Sequence, residues 1–185
     1  ESSYSFKHTD SLALKKIKEL GVKLIPIELP NFPYRSISFI LSAEAAAAFD
    51  DLTRSNNDDL LVRQGKSSWP NSFRSSRFIP AVEYINANRL RVLLIQEMEK
   101  IFQDIDLYIA PSFKGGNLLL TNLTGHPCIV VPNGFTRKGT PVSFCFVGKY
   151  FEEGKIVAVA KAFQDATDFH LKHPDMSWGL SDYTK

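Results

Sequence analysis

Two apolar runs, CIVV at 128–131 and VSFCFVG at 142–148, flank the polar, glycine-bearing segment TRKGTP at 136–141. A parallel crossover needs roughly a dozen residues or more, so a turn centred near Gly139 leaves an antiparallel hairpin as the only pairing open to them. VSFCFVG alternates as a strand does, and CIVV is β-rich. This hairpin is the feature that most limits the fold, because whatever else the chain forms must cover it.

The cover comes from helical segments. TDSLALKKIKELG (9–21) predicts a helix capped by Thr9 or Asp10, with Leu12, Leu14, Ile17 and Leu20 inward and Gly21 as the stop. VKLIPIELP (22–30) suits a short strand. Residues 36–52 predict a second, Ala-rich helix. Residues 53–80 are polar and broken by Gly65 and Pro70, so loops with short helical turns are expected there, anchored by Trp69, Phe73, Phe78 and Ile79. Residues 81–105 carry the longest helical signal, with Ile85, Val92, Ile95, Met98, Phe102 and Ile105 at helical spacing. DLYIAP (106–111) predicts a strand, and LLLTN after FKGGN is either a short helix or extended. The close, EEGKIVAVAKAFQDATDFHLK, predicts a helix with Ile156, Val159, Ala160 and Phe163 inward. The expected architecture is a layered α/β fold, with a mixed sheet covered by helices, in a single domain over 1–185.

The 185 residues suffice for a sizeable core, and 44% apolar with 23% charged content is that of a globular protein. A net charge of +2 does not point to nucleic acid, and no apolar run reaches the length of a membrane span. Cys128 and Cys145 form neither a CxxC nor a disulfide framework, and both read as small buried residues of a reducing, cytoplasmic compartment. The opening ESSYSFKHTD has no initiator Met and no secretory pattern. It reads as the start of a fragment of something longer, with a leader upstream left open.

The stretch TNLTGHPCIVVPNGF (121–135) places His126 two residues from Cys128. A nucleophilic Cys needs a base or a helix N-terminus to lower its pKa, whereas Cys128 opens an apolar run and Pro127 intervenes. A structural role, with Cys128 buried and inert, is the expectation. His170 and His173 have metal-ligand spacing but lack a third ligand in any diagnostic pattern, so no metal and no cofactor are expected. Segment 60–91 holds Arg63, Lys66, Arg74, Arg77, Arg89 and Arg91 against the single acid Glu83. It suits a phosphate or carboxylate ligand, or, more ordinarily, pairing with Asp50, Asp51, Asp58 and Asp59. The sequon Asn122-Leu123-Thr124 lies against a turn and an apolar run, which makes a poor acceptor. No GxSxG, P-loop, HExxH or GxGxxG motif occurs.

Three blocks together resemble the amidase signature family. FIPAVEYINANRLRVLLIQEMEKIFQDIDLYIAPS is similar to its long helix with a Y-x-x-A-x-x-x-R pattern, here Tyr84, Ala87 and Arg91, followed by a strand. NLTGHPCIVVPNGF is similar to its Asn-x-x-Gly-x-Pro run. GTPVSFCFVGKYFEEGKIVAVAKAFQDATDFHLKHP resembles its closing hairpin, helix and His-Pro end, and LKKIKELGVKLIPIELP its preceding helix–Gly–strand piece.

The resemblance implies cleavage of carboxamide C–N bonds by a Ser–cis-Ser–Lys triad, with backbone N–H groups stabilising the oxyanion. The serine pairs of this chain, Ser2-Ser3, Ser67-Ser68 and Ser75-Ser76, have no glycine-rich frame, and no Lys stands in a matching motif. No catalytic residue is therefore assigned here. The chain resembles the C-terminal part of an amidase, which completes the sheet and walls the pocket of a small-molecule amide, its partner being the enzyme's N-terminal part. Asn122, Thr124 and Gly125 match the turn beside the substrate cleft, and Arg77 stands roughly where amidotransferase relatives keep an Arg for a substrate carboxylate. Those tRNA-dependent relatives tend to carry an acid seven residues before the matching Asn, where this chain has Gly115. That favours an amidohydrolase over an A-type subunit of a glutamine-dependent tRNA amidotransferase. A truncated, non-catalytic binding module is the third reading.

Overall fold

The computed structural model describes residues 4–112 and 115–173. Their helices are α1 (Lys7–Glu19), α2 (Phe39–Ala48), α3 (Asp50–Arg54), α4 (Trp69–Ser76), α5 (Ala81–Phe102), α6 (Asn117–Thr124) and α7 (Glu153–Asp165). The strands are β1 (Leu107–Pro111), β2 (Cys128–Phe135) and β3 (Pro141–Gly148). The chain divides into two compact units: residues 1–27, 105–121 and 126–185 make the first, and residues 28–104 with 122–125 the second.

The first unit is built on the expected hairpin. β2 and β3 pair antiparallel with Val130 opposite Cys145, and Thr136 closes the turn by bonding the 140 amide. β1 pairs antiparallel with the other side of β3, giving the order β1-β3-β2. β1 and β2 thus run in the same direction but are separated by β3. Within the layered α/β fold, the expected mixed sheet is antiparallel in both ladders among the described residues. The register shifts at Pro132–Gly134, as expected where Pro cannot donate to the ladder.

Alternation along β3 sends Phe144 and Phe146 to one face, where they meet Ala13 and Ile17 of α1 and Ile156, Ala160 and Phe163 of α7. Phe144 packs edge-on to Phe146 at 4.9 Å and to Phe163 at 5.1 Å. Burying each such ring is worth about 1.5–3 kcal/mol. The inward face of α7 is as the sequence indicates. On α1 only Ile17 of the expected set is buried, beside Ala13, while Leu12, Leu14 and Leu20 stay exposed. The helix also starts earlier than expected, at Lys7, so Asp10 is not its cap. Asp10 instead lies inside the unit, accepting from Tyr4 Oη at 2.6 Å and Asn133 Nδ2 at 2.7 Å. Burial, and then the Asp10 contact, push the Tyr4 phenol well above its ordinary pKa. Gly21, at φ +88°, ends α1 as expected. The segment 22–30, expected as a strand, is irregular. Pro26 and Pro30 remove two ladder donors, and none of the three strands pairs with it.

The second unit is helical. Phe73 of α4 stacks on Phe49 at 5.0 Å and on Trp69 at 5.5 Å. Of the expected anchors in 53–80, Phe73 is buried, but Phe78 is 86% exposed. α5 buries Ala87, Leu94, Met98 and Phe102, while Ile85 and Val92 face outward. The helix carries apolar residues on two faces, and periodicity alone selects the wrong one at its N-terminal half.

Candidate functional site

The turn expected beside a substrate cleft is the C-terminal end of α6. The last four carbonyls of any helix lack intrahelical donors, and a residue at positive φ is the usual way to turn the chain out of it. Gly125 takes that position with φ +78°. Thr124 is buried, while Asn122 and Gly125 are exposed.

The turn is held from α5. Arg91 Nε donates to the Leu123 carbonyl at 2.6 Å, supplying a charged donor where the helix end presents partial negative charge. The guanidinium is in turn oriented by Asn88 Oδ1 at 3.5 Å, and Glu44 lies 3.9 Å away. Tyr84 Oη donates to the same Glu44 carboxylate at 3.1 Å. The spacing of Tyr84, Ala87 and Arg91 now has a physical account. Residues three and seven apart share a helix face, so Tyr84 and Arg91 reach one acceptor on α2 while the small, buried Ala87 lets the elements approach. Neither Glu44 nor a backbone carbonyl leaves a recognisable pattern, so the motif is visible in the sequence without its partners.

Arg77 is occupied differently. It forms an ion pair with Asp50, which also accepts from Arg54 Nε at 2.5 Å. Hydrogen bonds from Arg54 and then Arg77 hold the Asp50 carboxyl below the usual range. Among the described residues, Arg77 makes no hydrogen bond or ion pair to Asn122, Thr124 or Gly125. Arg74 pairs with the buried Asp58 at 2.5 Å and with Asp59 at 3.2 Å. For Arg74 and Arg77, the basic segment follows its ordinary reading, with charges answered by nearby acids.

His126 and Cys128 do not engage each other. His126 is 5% exposed and its ring stacks on Tyr150 at 4.2 Å. Burial lowers its pKa to about 4, so the imidazole is neutral in the folded state at ordinary pH. Cys128 is exposed, which corrects the expectation that it is buried. The alternation of β2 sends Val131 to the core and Cys128, three residues away, to the other face. There the neighbouring Cys145 thiol depresses the Cys128 pKa. Cys145 is buried as expected. It donates to the Ala110 carbonyl and accepts from Asn117 Nδ2, each at 3.2 Å. Tyr108 Oη donates to Asn117 Oδ1 at 2.7 Å, completing a buried chain from β1 through the first residue of α6 to β3.

Of the histidine pair, His170 lies on a short 3-10 turn at Phe169–Leu171, past the end of α7 at Asp165. The helical spacing that would place it on one face with His173 is therefore not kept. No group of three His, Cys, Asp or Glu side chains among the described residues is arranged to hold a metal. No helix among them is long and apolar enough to cross a membrane.

No family model matches the chain. It is, however, 32% identical to the A-type subunit of glutamyl-tRNA(Gln) amidotransferase from Halalkalibacterium halodurans, over 89% of this chain and 42% of that protein. The corresponding protein of a Nostoc species is 26% identical over 89% of this chain and 42% of its own length. Among solved structures, a bacterial aryl acylamidase of the amidase signature family aligns over 90% of this chain and 41% of its own, at TM-score 0.73 and 18% identity. This chain is a homologue of the amidase signature enzymes. The allophanate hydrolase of Kluyveromyces lactis shares the fold at TM-score 0.66 and 18% identity, over 89% of this chain and 30% of that one. The amidase signature homologue described here thus spans less than half the length of the relatives it matches, and corresponds to their C-terminal portion.

Proposed function

We propose that the chain is the C-terminal region of an amidase signature hydrolase that cleaves carboxamide C–N bonds. The Ser–cis-Ser–Lys triad belongs to an N-terminal part outside this chain, and residues 1–185 act together as one region. That region completes the sheet and walls the substrate pocket with Asn122, Thr124 and Gly125, while Arg77 offers a guanidinium to a substrate carboxylate. Its partners are the N-terminal part and a small-molecule amide, and it works in the cytoplasm without membrane or nucleic acid. The observation that carries this reading is the α6 terminus. A buried Thr and a positive-φ Gly form its turn, and Arg91 of the Tyr84–Ala87–Arg91 pattern grips the Leu123 carbonyl beside them. Such bracing suits a wall that must hold a substrate to within about 0.5 Å.

A second reading has its own support. The two sequence relatives named above are A-type subunits of a tRNA amidotransferase. Gly115, where such proteins tend to carry an acid, favours the hydrolase.

The test is expression from the complete reading frame that contains this chain. The hydrolase reading expects turnover of simple carboxamides without tRNA, lost when a serine of an upstream Gly/Ser-rich loop becomes Ala. Amide transfer that depends on glutamine and misacylated tRNA would instead establish the second reading. Residues 1–185 alone are expected to turn over no simple amide, and robust turnover by them would overturn the placement of the triad. Arg77→Ala in the complete protein is expected to raise KM for carboxylate-bearing amides and spare neutral ones.

A further inference from the structure

We propose that Cys128 and Cys145 are a dithiol oxidation site, closing a reversible cross-strand disulfide on exposure to a small disulfide such as glutathione disulfide. The pairing register carries the geometry. Cys128 is opposite Val147 and Cys145 opposite Val130, so the two cysteines are diagonal neighbours on the same face of the β2–β3 hairpin. Each thiol stands near enough to shift the ionisation of the other. One is exposed to an incoming oxidant, whereas the other is 2% exposed and anchored between Ala110 and Asn117.

The asymmetry assigns the roles. A thiolate is the attacking species, and an accessible thiolate beside a second, sheltered thiol is the arrangement of redox-responsive cysteines. The neighbouring Cys145 thiol lowers the Cys128 pKa, whereas Cys128 and then burial raise that of Cys145. Cys128 Sγ attacks one sulfur of glutathione disulfide, forming a mixed disulfide and expelling glutathione thiolate, which takes up a proton. Cys145 Sγ then loses its proton and attacks Cys128 Sγ, and the second glutathione leaves as the thiol. Two protein thiols are oxidised by two electrons, and one glutathione disulfide is reduced to two glutathiones.

Diagonal neighbours in a sheet lie roughly 7–8 Å apart between Cα atoms, against about 5.5–6 Å in a relaxed disulfide. The bond therefore draws the strands together by roughly 1–2 Å and is strained, which places it among the readily reduced disulfides. Closure also removes the proton that Cys145 donates to Ala110 and leaves Asn117 a poorer acceptor.

The experiment treats the native chain with glutathione disulfide, blocks remaining thiols with an alkylating agent in denaturant, and reads intact and tryptic masses. Arg137 and Lys138 lie between the cysteines, so trypsin converts an intramolecular disulfide into a linked peptide pair. The expected result is a monomer with no alkylated thiol and the two peptides joined, reversed by dithiothreitol. Cys145→Ala is expected to stop at the glutathione adduct on Cys128. Cys128→Ser, altered at an exposed site, is expected to leave Cys145 unreacted while native. A stable glutathione adduct on the wild-type chain, a disulfide between two chains, or two thiols still alkylated would each overturn the proposal.

Discussion

Lowering the pH should destabilise this chain through His126. The imidazole is 5% exposed beneath Tyr150, and burial lowers its pKa from 6.5 to about 4. In the unfolded chain it regains the ordinary value, so as pH falls the unfolded state takes up the proton first. Stability is full above the unfolded pKa and is lost progressively from about pH 6.5 down to about pH 4. A pKa unit corresponds to about 1.4 kcal/mol, so the shift amounts to about 3 kcal/mol once both states are protonated. Between about pH 7.5 and pH 5 the linkage relation gives a loss of about 2 kcal/mol. Urea unfolding by far-UV circular dichroism at the two pH values measures it, with His126→Gln as the reference. The carboxylates titrate in both proteins and cancel, so the wild type should lose about 2 kcal/mol more than the variant. A proton NMR titration of the His126 ring reads the same quantity directly. Equal pH dependence of the two proteins, or a His126 pKa near the ordinary value, would refute the reasoning.

Replacing Arg91 by Met removes a charged donor from the Leu123 carbonyl, and urea unfolding should show a loss of about 1.5–3 kcal/mol. Arg91→Lys should recover part of it. Asp10→Ala leaves Tyr4 Oη and the buried Asn133 Nδ2 without their shared acceptor, and about 2–4 kcal/mol should go, mostly restored by Asp10→Asn. A Cβ at Gly134 would stand 2.9 Å from Thr9 Cγ2, so Gly134→Ala should lower the thermal midpoint, costing about 1–3 kcal/mol. Truncating Phe146, fully enclosed between the sheet and its helices, should cost about 3–5 kcal/mol by the same measurement.

Local patterns foretold the elements that local physics controls. The hairpin follows from two β-rich runs with a glycine-bearing turn, and α1 ends at Gly21 because a residue without Cβ takes positive φ there at no steric cost. The turn at Thr124–Gly125 was legible for the same reason. What surrounds it was not: Glu44 reaches Tyr84 across 40 positions of sequence, and Arg91 reaches Leu123 across 32. Asp10 is the sharpest case. An Asp ahead of an apolar run is a good cap by local rules, yet its carboxylate binds Asn133, 123 residues away.

The sequence by itself determined that this chain makes helices against an antiparallel hairpin, and that the first helix stops at Gly21, since propensity, alternation and turn chemistry act within a few residues. Only the tertiary structure decided which side of each element is inside. It buried Ala87 and Leu94 of α5 rather than Ile85 and Val92, and left 22–30 unpaired for want of a neighbouring strand. It also turned Cys128 outward and held His126 inside. Burial and pairing are properties of what lies opposite a residue, and that neighbour is set by the assembled fold.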